Sequence, residues 1–123
     1  MTPAELISIG SIATHIVESI PISEGISGNM IEIVDQVRQH VANYTGETIG
    51  SNAIAAKFQP AILNFSKSDV VNLVNAEPGG KIRLAELSID DGGDILSAKQ
   101  YTLLGDSNLK ALGKKIQFAK SVS

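Results

Sequence analysis

The amino-acid sequence predicts a mainly α-helical fold, a small bundle of about four to five helices with a short extended segment near residues 82–90 and an extended C-terminal tail. Three observations support this fold class. The 123 residues have the length of one domain with one core. Hydrophobic residues make up 43% of the chain, and only 4% are aromatic, so the core is aliphatic. The apolar residues recur at steps of three and four between capping residues and Gly or Pro breaks.

The single predicted domain, residues 1–123, begins with an N-terminal helix over residues 1–20. Thr2 and Glu5 form a capping box, and Pro3 tolerates the first helical position. The apolar face that follows comprises Leu6, Ile9, Ala13, Ile16 and Ile20. Residues 21–28 contain a proline and two glycines, so we expect a linker that leaves this helix free to swing.

A helical core is predicted over residues 29–113. Its first helix has Asn29 as cap with Glu32 three places later, and Gly46 ends it in the left-handed conformation. The apolar face of this helix comprises Met30, Ile33, Val34, Val37, Val41 and Tyr44. Ser51 or Asn52 can cap a further short helical stretch that carries Ile54, Ala55 and Phe58.

The central and most buried helix is predicted from about Gln59 to Ala76, because Pro60 interrupts any earlier helix and a Pro-Gly-Gly sequence follows. Its apolar residues are Ile62, Leu63, Phe65, Val70, Leu73 and Val74. Residues 81–90 change to spacings of two, which indicate short strands or an extended loop. A last helix is predicted from about Ile95 to Leu112, with Gly113 as its stop. Its face comprises Ala98, Tyr101, Leu104 or Gly105, Leu109 and Leu112.

The C-terminal tail, residues 114–123, alternates polar and apolar side chains. This pattern is typical of an edge strand without a partner in its own domain, and a frayed terminus is the alternative.

The sequence offers little for catalysis or cofactors, so we expect no enzyme activity, no cofactor and no metal site. It has no Cys, and phosphate-binding glycine loops are absent. His15 with Glu18 supplies only two candidate ligands, and His40 stands alone beside an apolar face. The acidic run that includes Asp90, Asp91 and Asp94 lacks the ligand spacing of a calcium loop, which favours a solvated turn. No signal peptide or membrane span is expected.

The charge distribution is uneven within a net charge of −3. Residues 1–50 carry six acidic side chains against Arg38 alone, a net charge of −5, whereas the last 23 residues carry four lysines against Asp106, a net charge of +3. This polarity suits a subunit that docks head to tail, and a solvated helix end with a solubilising tail is the alternative.

Several strings between Ile31 and Phe118 resemble the head-to-tail connector (adaptor, or head-completion) proteins of tailed bacteriophages. They are Val41-Ala42-Asn43-Tyr44-Thr45-Gly46, Lys57-Phe58-Gln59-Pro60, Leu84-Ala85-Glu86-Leu87-Ser88-Ile89 and Leu109-Lys110-Ala111-Leu112-Gly113-Lys114-Lys115. In that family, a helix that ends in a Tyr-Thr-Gly-like turn leads through a short loop into the central helix.

The resemblance implies a virion structural protein, made in the host cytoplasm and located in the neck. It would form a ring of about twelve subunits under the portal protein, extend the DNA channel, and give a platform to a tail-completion or tail-tube protein. The tail would dock into the portal through apolar anchors and basic side chains, namely Lys114, Lys115, Ile116, Phe118 and Lys120.

DNA would pass through such a channel without specific binding, because each neutralised phosphate is a contact that must later break. The acidic residues that could line the channel are Glu32, Asp35, Glu47, Asp90, Asp91 and Asp94. The alternative function is a cytoplasmic helical protein–protein interaction or regulatory module, whose freed N-terminal helix docks in a partner's groove.

Overall fold

The structure is a computed structural model that describes residues 8–20, 22–82, 84 and 96–113. Within these residues the fold is mainly helical and contains no strand, which confirms the predicted helical bundle. The predicted Thr2–Glu5 capping box, the 90–94 acidic run and the 114–123 tail lie outside the described residues. None of the helices that the structure describes is both long enough and apolar enough to cross a membrane.

The first helix, α1, spans Ile9–Ser19 and packs on the core through Ile12, Ala13 and Ile16. Ser8 caps it, because its Oγ accepts a hydrogen bond from the Ser11 amide at 3.0 Å. Ile12 is fully buried although the sequence analysis did not assign it to the apolar face.

The segment predicted as a free linker is instead a short helix, α2, over Glu24–Gly28. The Ser23 hydroxyl caps this helix and also donates to the Glu77 carboxylate, while Ile26 is buried. The prediction of a swinging helix is therefore wrong, because α1 buries Ile12, Ala13 and Ile16 in the core and α2 buries Ile26. The alternative function depended on a freed N-terminal helix and loses that premise, since leaving the domain would expose the apolar side of α1.

Helix α3 spans Met30–Thr45 and ends as predicted at Gly46, whose φ of 73° is left-handed. Asn29 precedes this helix but makes no side-chain cap bond, because its amide donates to the Gly25 carbonyl at 3.1 Å. The buried side chains of α3 are Met30, Val34, Val37, Val41 and Thr45.

A single 3-10 turn over Ala56–Phe58 leads into the central helix α4, Gln59–Ala76, whose bounds match the prediction. Pro60 lies in the first turn of α4 and therefore begins the helix without breaking it. Residues 51–55 are not helical, so the predicted short helix reduces to this turn. Buried residues occur on several sides of α4, and they are Gln59, Ala61, Ile62, Ser66, Ser68, Val70, Val71 and Val74.

The extended segment predicted near residues 82–90 is not found where the structure describes it, because residues 80–82 and 84 are helical. Ile82 is exposed and Leu84 is buried. Residues two apart share one face of a strand but lie about 200° apart around a helix, so the helical conformation accounts for an exposed Ile82 and a buried Leu84.

The last helix, α5, spans Ala98–Leu112. A capping box between Ser97 and Gln100 begins it, and Gly113 ends it as predicted. Of the two alternatives given for the middle of its face, Gly105 is buried and Leu104 is exposed. Helix α5 packs chiefly along α4, where Ser68 Oγ donates to the Ala98 carbonyl at 2.9 Å.

Candidate interaction surfaces

The two histidines lie on different helices, His15 on α1 and His40 on α3. No group of three His, Cys, Asp or Glu side chains within the described ranges could hold a metal ion. Partial burial and the positive charge of Lys67 lower the pKa of His15. Burial likewise lowers the pKa of Lys67, whose Nζ lies 5.6 Å from the centre of the Tyr101 ring.

The second histidine, His40, borders a shallow cavity of about 300 Å³ between α3 and α4. Its ring meets the edge of Phe65 at a centroid distance of 5.8 Å. Asp69 lines the same cavity, and burial raises the pKa of its carboxyl above the ordinary value. Gln36 and Val37 complete the lining. One imidazole, one carboxyl and apolar walls supply neither a nucleophile with its base nor a set of oxyanion donors.

The predicted channel-lining acids differ from one another in their surroundings. Glu32 is exposed in the first turn of α3. Asp35 accepts from Arg38 Nε at 2.8 Å, and this hydrogen bond, opposed by some burial and helped by Gln39, lowers the pKa of Asp35. Glu47 lies 3.4 Å from Lys57 Nζ. The charges of Asp35 and Glu47 are thus partly balanced within the chain.

The remaining predicted site residues fall outside the described part of the chain. They are the acids Asp90, Asp91 and Asp94 and the tail residues Lys114, Lys115, Ile116, Phe118 and Lys120. Their proposed roles stay predictions.

The structure reveals an apolar groove of about 280 Å³ where α1, α2 and the start of α3 meet. We call it the α1–α3 groove, and its lining is Gly10, Ala13, Thr14, Val17, Glu18, Ser27, Met30 and Ile31. Val17 is 39% exposed and Ile31 is 57% exposed. Large apolar side chains that remain this accessible around a concave surface are typical of an interaction site.

A second exposed apolar surface lies on α5. Leu103 and Leu104 are adjacent and are 57% and 44% exposed. We call this pair the α5 ridge. Tyr101, Gly105 and Leu109 hold the buried side of α5 against the core, so the ridge is carried by a packed helix.

Neither the α1–α3 groove nor the α5 ridge was predicted from the sequence. Val17, Ile31 and Leu103 were outside the apolar faces predicted for their helices, and that displacement was the available signal. An aliphatic residue off the core-facing stripe is commonly an exposed side chain. Only the structure shows that Val17 and Ile31 border the same groove.

Searches of protein-family models, curated proteins and solved structures found no match to this chain.

Proposed function

We propose that this chain is a virion structural protein, a head-to-tail connector that forms a ring of about twelve subunits beneath a portal protein. The ring would extend the DNA channel and present a platform to a tail-completion or tail-tube protein. The protein would be made in the host cytoplasm and reside in the neck of the particle.

The observation that carries the proposal is the pair of exposed apolar surfaces, the α1–α3 groove and the α5 ridge, on one small helical domain. A subunit of a closed ring contacts one neighbour on each side and therefore needs two different adhesive surfaces. Exposed apolar side chains that are grouped on one surface indicate an interaction site, whereas scattered ones do not.

The positions of the resembling strings support the same proposal. Tyr44-Thr45-Gly46 ends α3, and Lys57-Phe58-Gln59-Pro60 spans the 3-10 turn and the start of the central helix α4. Leu109 to Gly113 forms the end of α5. The order along the chain is the one that the resemblance implies, from a helix with a glycine stop, through the connection over residues 46–58, to a central helix.

Under this proposal, the basic tail inserts Ile116 and Phe118 into the portal, and Lys114, Lys115 and Lys120 meet acidic portal side chains. The channel wall carries acidic groups so that DNA slides without being held. Glu32 is the strongest described candidate, since Asp35 and Glu47 each have a basic neighbour. Asp90, Asp91 and Asp94 would add to the same wall.

The test is single-particle cryo-microscopy of purified virus particles and of the full chain mixed with its portal. We expect a helical ring directly below the portal, with residues 114–123 entering the portal wall. Phe118→Ser should abolish ring attachment, whereas the matched exposed substitution Asn52→Ser in the domain should leave it intact. Absence of this protein from intact particles would overturn the proposal.

A further inference from the structure

The α1–α3 groove is apolar inside and acidic around its margin. Glu18 lines it, and Glu24 lies one helical turn from Ser27 of the lining. Both carboxylates belong to exposed residues. The first 37 residues of the chain contain no Lys or Arg, so no lysine or arginine from this part of the sequence offsets these charges.

The α5 ridge has the opposite character. Lys99 precedes Leu103 by one helical turn, and Lys110 follows it by two turns, so both flank the ridge on the same face. Both lysines are exposed, and Asp106 is the acidic residue within this face. The ridge is therefore a convex apolar surface with a basic residue at each end.

We propose that a second copy of this chain occupies the α1–α3 groove, with the α5 ridge of one copy seated between Val17 and Ile31 of the next. Apolar side chains are buried on both sides, and Lys99 and Lys110 meet the acidic margin. Because groove and ridge are different surfaces, the contact is head to tail, which closes into a ring when the rotation per subunit permits. This contact rests on the proposed connector ring and identifies its subunit interface.

The natural absence of cysteine allows a direct test by disulfide trapping. One batch of the full chain carries Ile31→Cys and another carries Leu103→Cys, both at exposed positions. The batches are mixed, oxidised at high concentration, and analysed on non-reducing gels, alone and after binding to portal rings. The mixture should give cross-linked dimer at a yield about tenfold above either batch alone, a ratio that corresponds to about 1.4 kcal/mol.

Two matched controls define specificity. Asn43→Cys mixed with Leu103→Cys places one thiol at an exposed position of α3, twelve residues and therefore about 18 Å along the helix from Ile31, and should give only the background yield. Glu18→Lys in the Ile31→Cys chain should lower the yield several-fold, and Lys99→Glu in the Leu103→Cys chain should restore it. The pair Val17→Cys and Leu104→Cys repeats the test if a first-pair variant does not fold.

The remaining outcomes distinguish failure of this interface from failure of the connector function. Equal cross-linking of each batch with itself, or none in solution and on the portal, overturns the head-to-tail contact. A ring seen by microscopy without the trapped dimer overturns this interface and leaves the connector function standing. If the dimer is trapped but the protein is absent from particles, this interface stands and the connector function is overturned. Trapping of Ile31→Cys by Phe118→Cys within one copy would assign the groove to the chain's own tail and also overturn the contact.

Discussion

Gly105 is the position at which helix propensity and packing oppose each other most clearly. A Cβ atom added there would lie 2.9 Å from three carbons of the Phe65 ring. Gly→Ala in an open helical position stabilises by about 1 kcal/mol, whereas overpacking a filled interface costs about 1–3 kcal/mol. Phe65 meets His40 edge-on and borders the cavity between α3 and α4, so a shift of its ring relieves part of the overlap and places the expected cost at the lower end of this range. We expect Gly105→Ala to lower the free energy of unfolding by about 1 kcal/mol net.

The measurement is chemical denaturation followed by circular dichroism, with thermal unfolding as a second readout. A loss of 1 kcal/mol corresponds to a fall in Tm of about 3–5 °C for a domain of this size. Gly28→Ala is the matched control, because Gly28 lies in α2 with nothing within 4 Å of an added Cβ. It should raise the free energy of unfolding by about 0.5–1 kcal/mol.

A double-mutant cycle with Phe65→Leu identifies the clashing partner. The shorter side chain vacates the space of the ring, so Gly105→Ala should become neutral or stabilising in that background. If Gly105→Ala stabilises the parent protein as much as Gly28→Ala does, the packing described for α4 and α5 is wrong. If Gly105→Ala lowers the free energy of unfolding equally with Phe and with Leu at residue 65, Phe65 is not the side chain that the added Cβ meets.

Four further predictions concern buried or partly buried groups. Ser66 Oγ is buried and has no hydrogen-bond partner in the described part of the chain, so Ser66→Ala should stabilise by up to about 1 kcal/mol. Ser68→Ala, in contrast, removes the bond to the Ala98 carbonyl and should destabilise by about 1–2 kcal/mol in the same denaturation assay. Because the folded-state pKa of His15 is lowered from 6.5, the free energy of unfolding should fall as the pH drops below that value, and His15→Gln should remove this component of the pH profile. Gly80→Ala should cost about 3 kcal/mol or more, because its Cβ would overlap the Val74 carbonyl oxygen.

The contrary results are equally specific. A destabilising Ser66→Ala would mean that its hydroxyl has a bonding partner. An unchanged pH profile in His15→Gln would mean that the imidazole is as well solvated in the folded protein as in the unfolded chain. If Gly80→Ala cost no more than Gly79→Ala, which introduces a side chain at a φ of 75°, the close approach at Val74 would be refuted.

The helix ends that were predicted well are those set by local chemistry. Pro60 and the Pro-Gly-Gly sequence after Glu77 bracket α4, and Gly46 and Gly113 end α3 and α5. These residues act through their own backbone preferences, so the helix ends can be predicted from them without knowledge of tertiary contacts.

The predictions that the structure contradicts concern residues whose conformation or burial depends on tertiary contacts. Helix α2 has only five residues, too few for a periodic pattern, and one buried side chain, Ile26, fixes it to its neighbours. Helix α4 is packed on several sides, so no single stripe could identify its exposed Leu73 or its buried Val71.

Among the candidate acids, the spacing of Asp35 and Arg38 permits a helical ion pair. The contact of Glu47 with Lys57 crosses the connection between α3 and α4, which sequence spacing does not predict.

The central position of α4 also has a kinetic consequence. Its principal partners, α3 and α5, are the long helices directly before and after it in the chain, and α1 packs on α3. Each of these interfaces forms by closing a loop between long helices that are neighbours in the chain, and the entropic cost of loop closure grows only slowly with loop length. Helical domains rich in such local contacts fold on the microsecond to millisecond scale. We therefore expect the isolated chain to fold fast and without the help of a second copy.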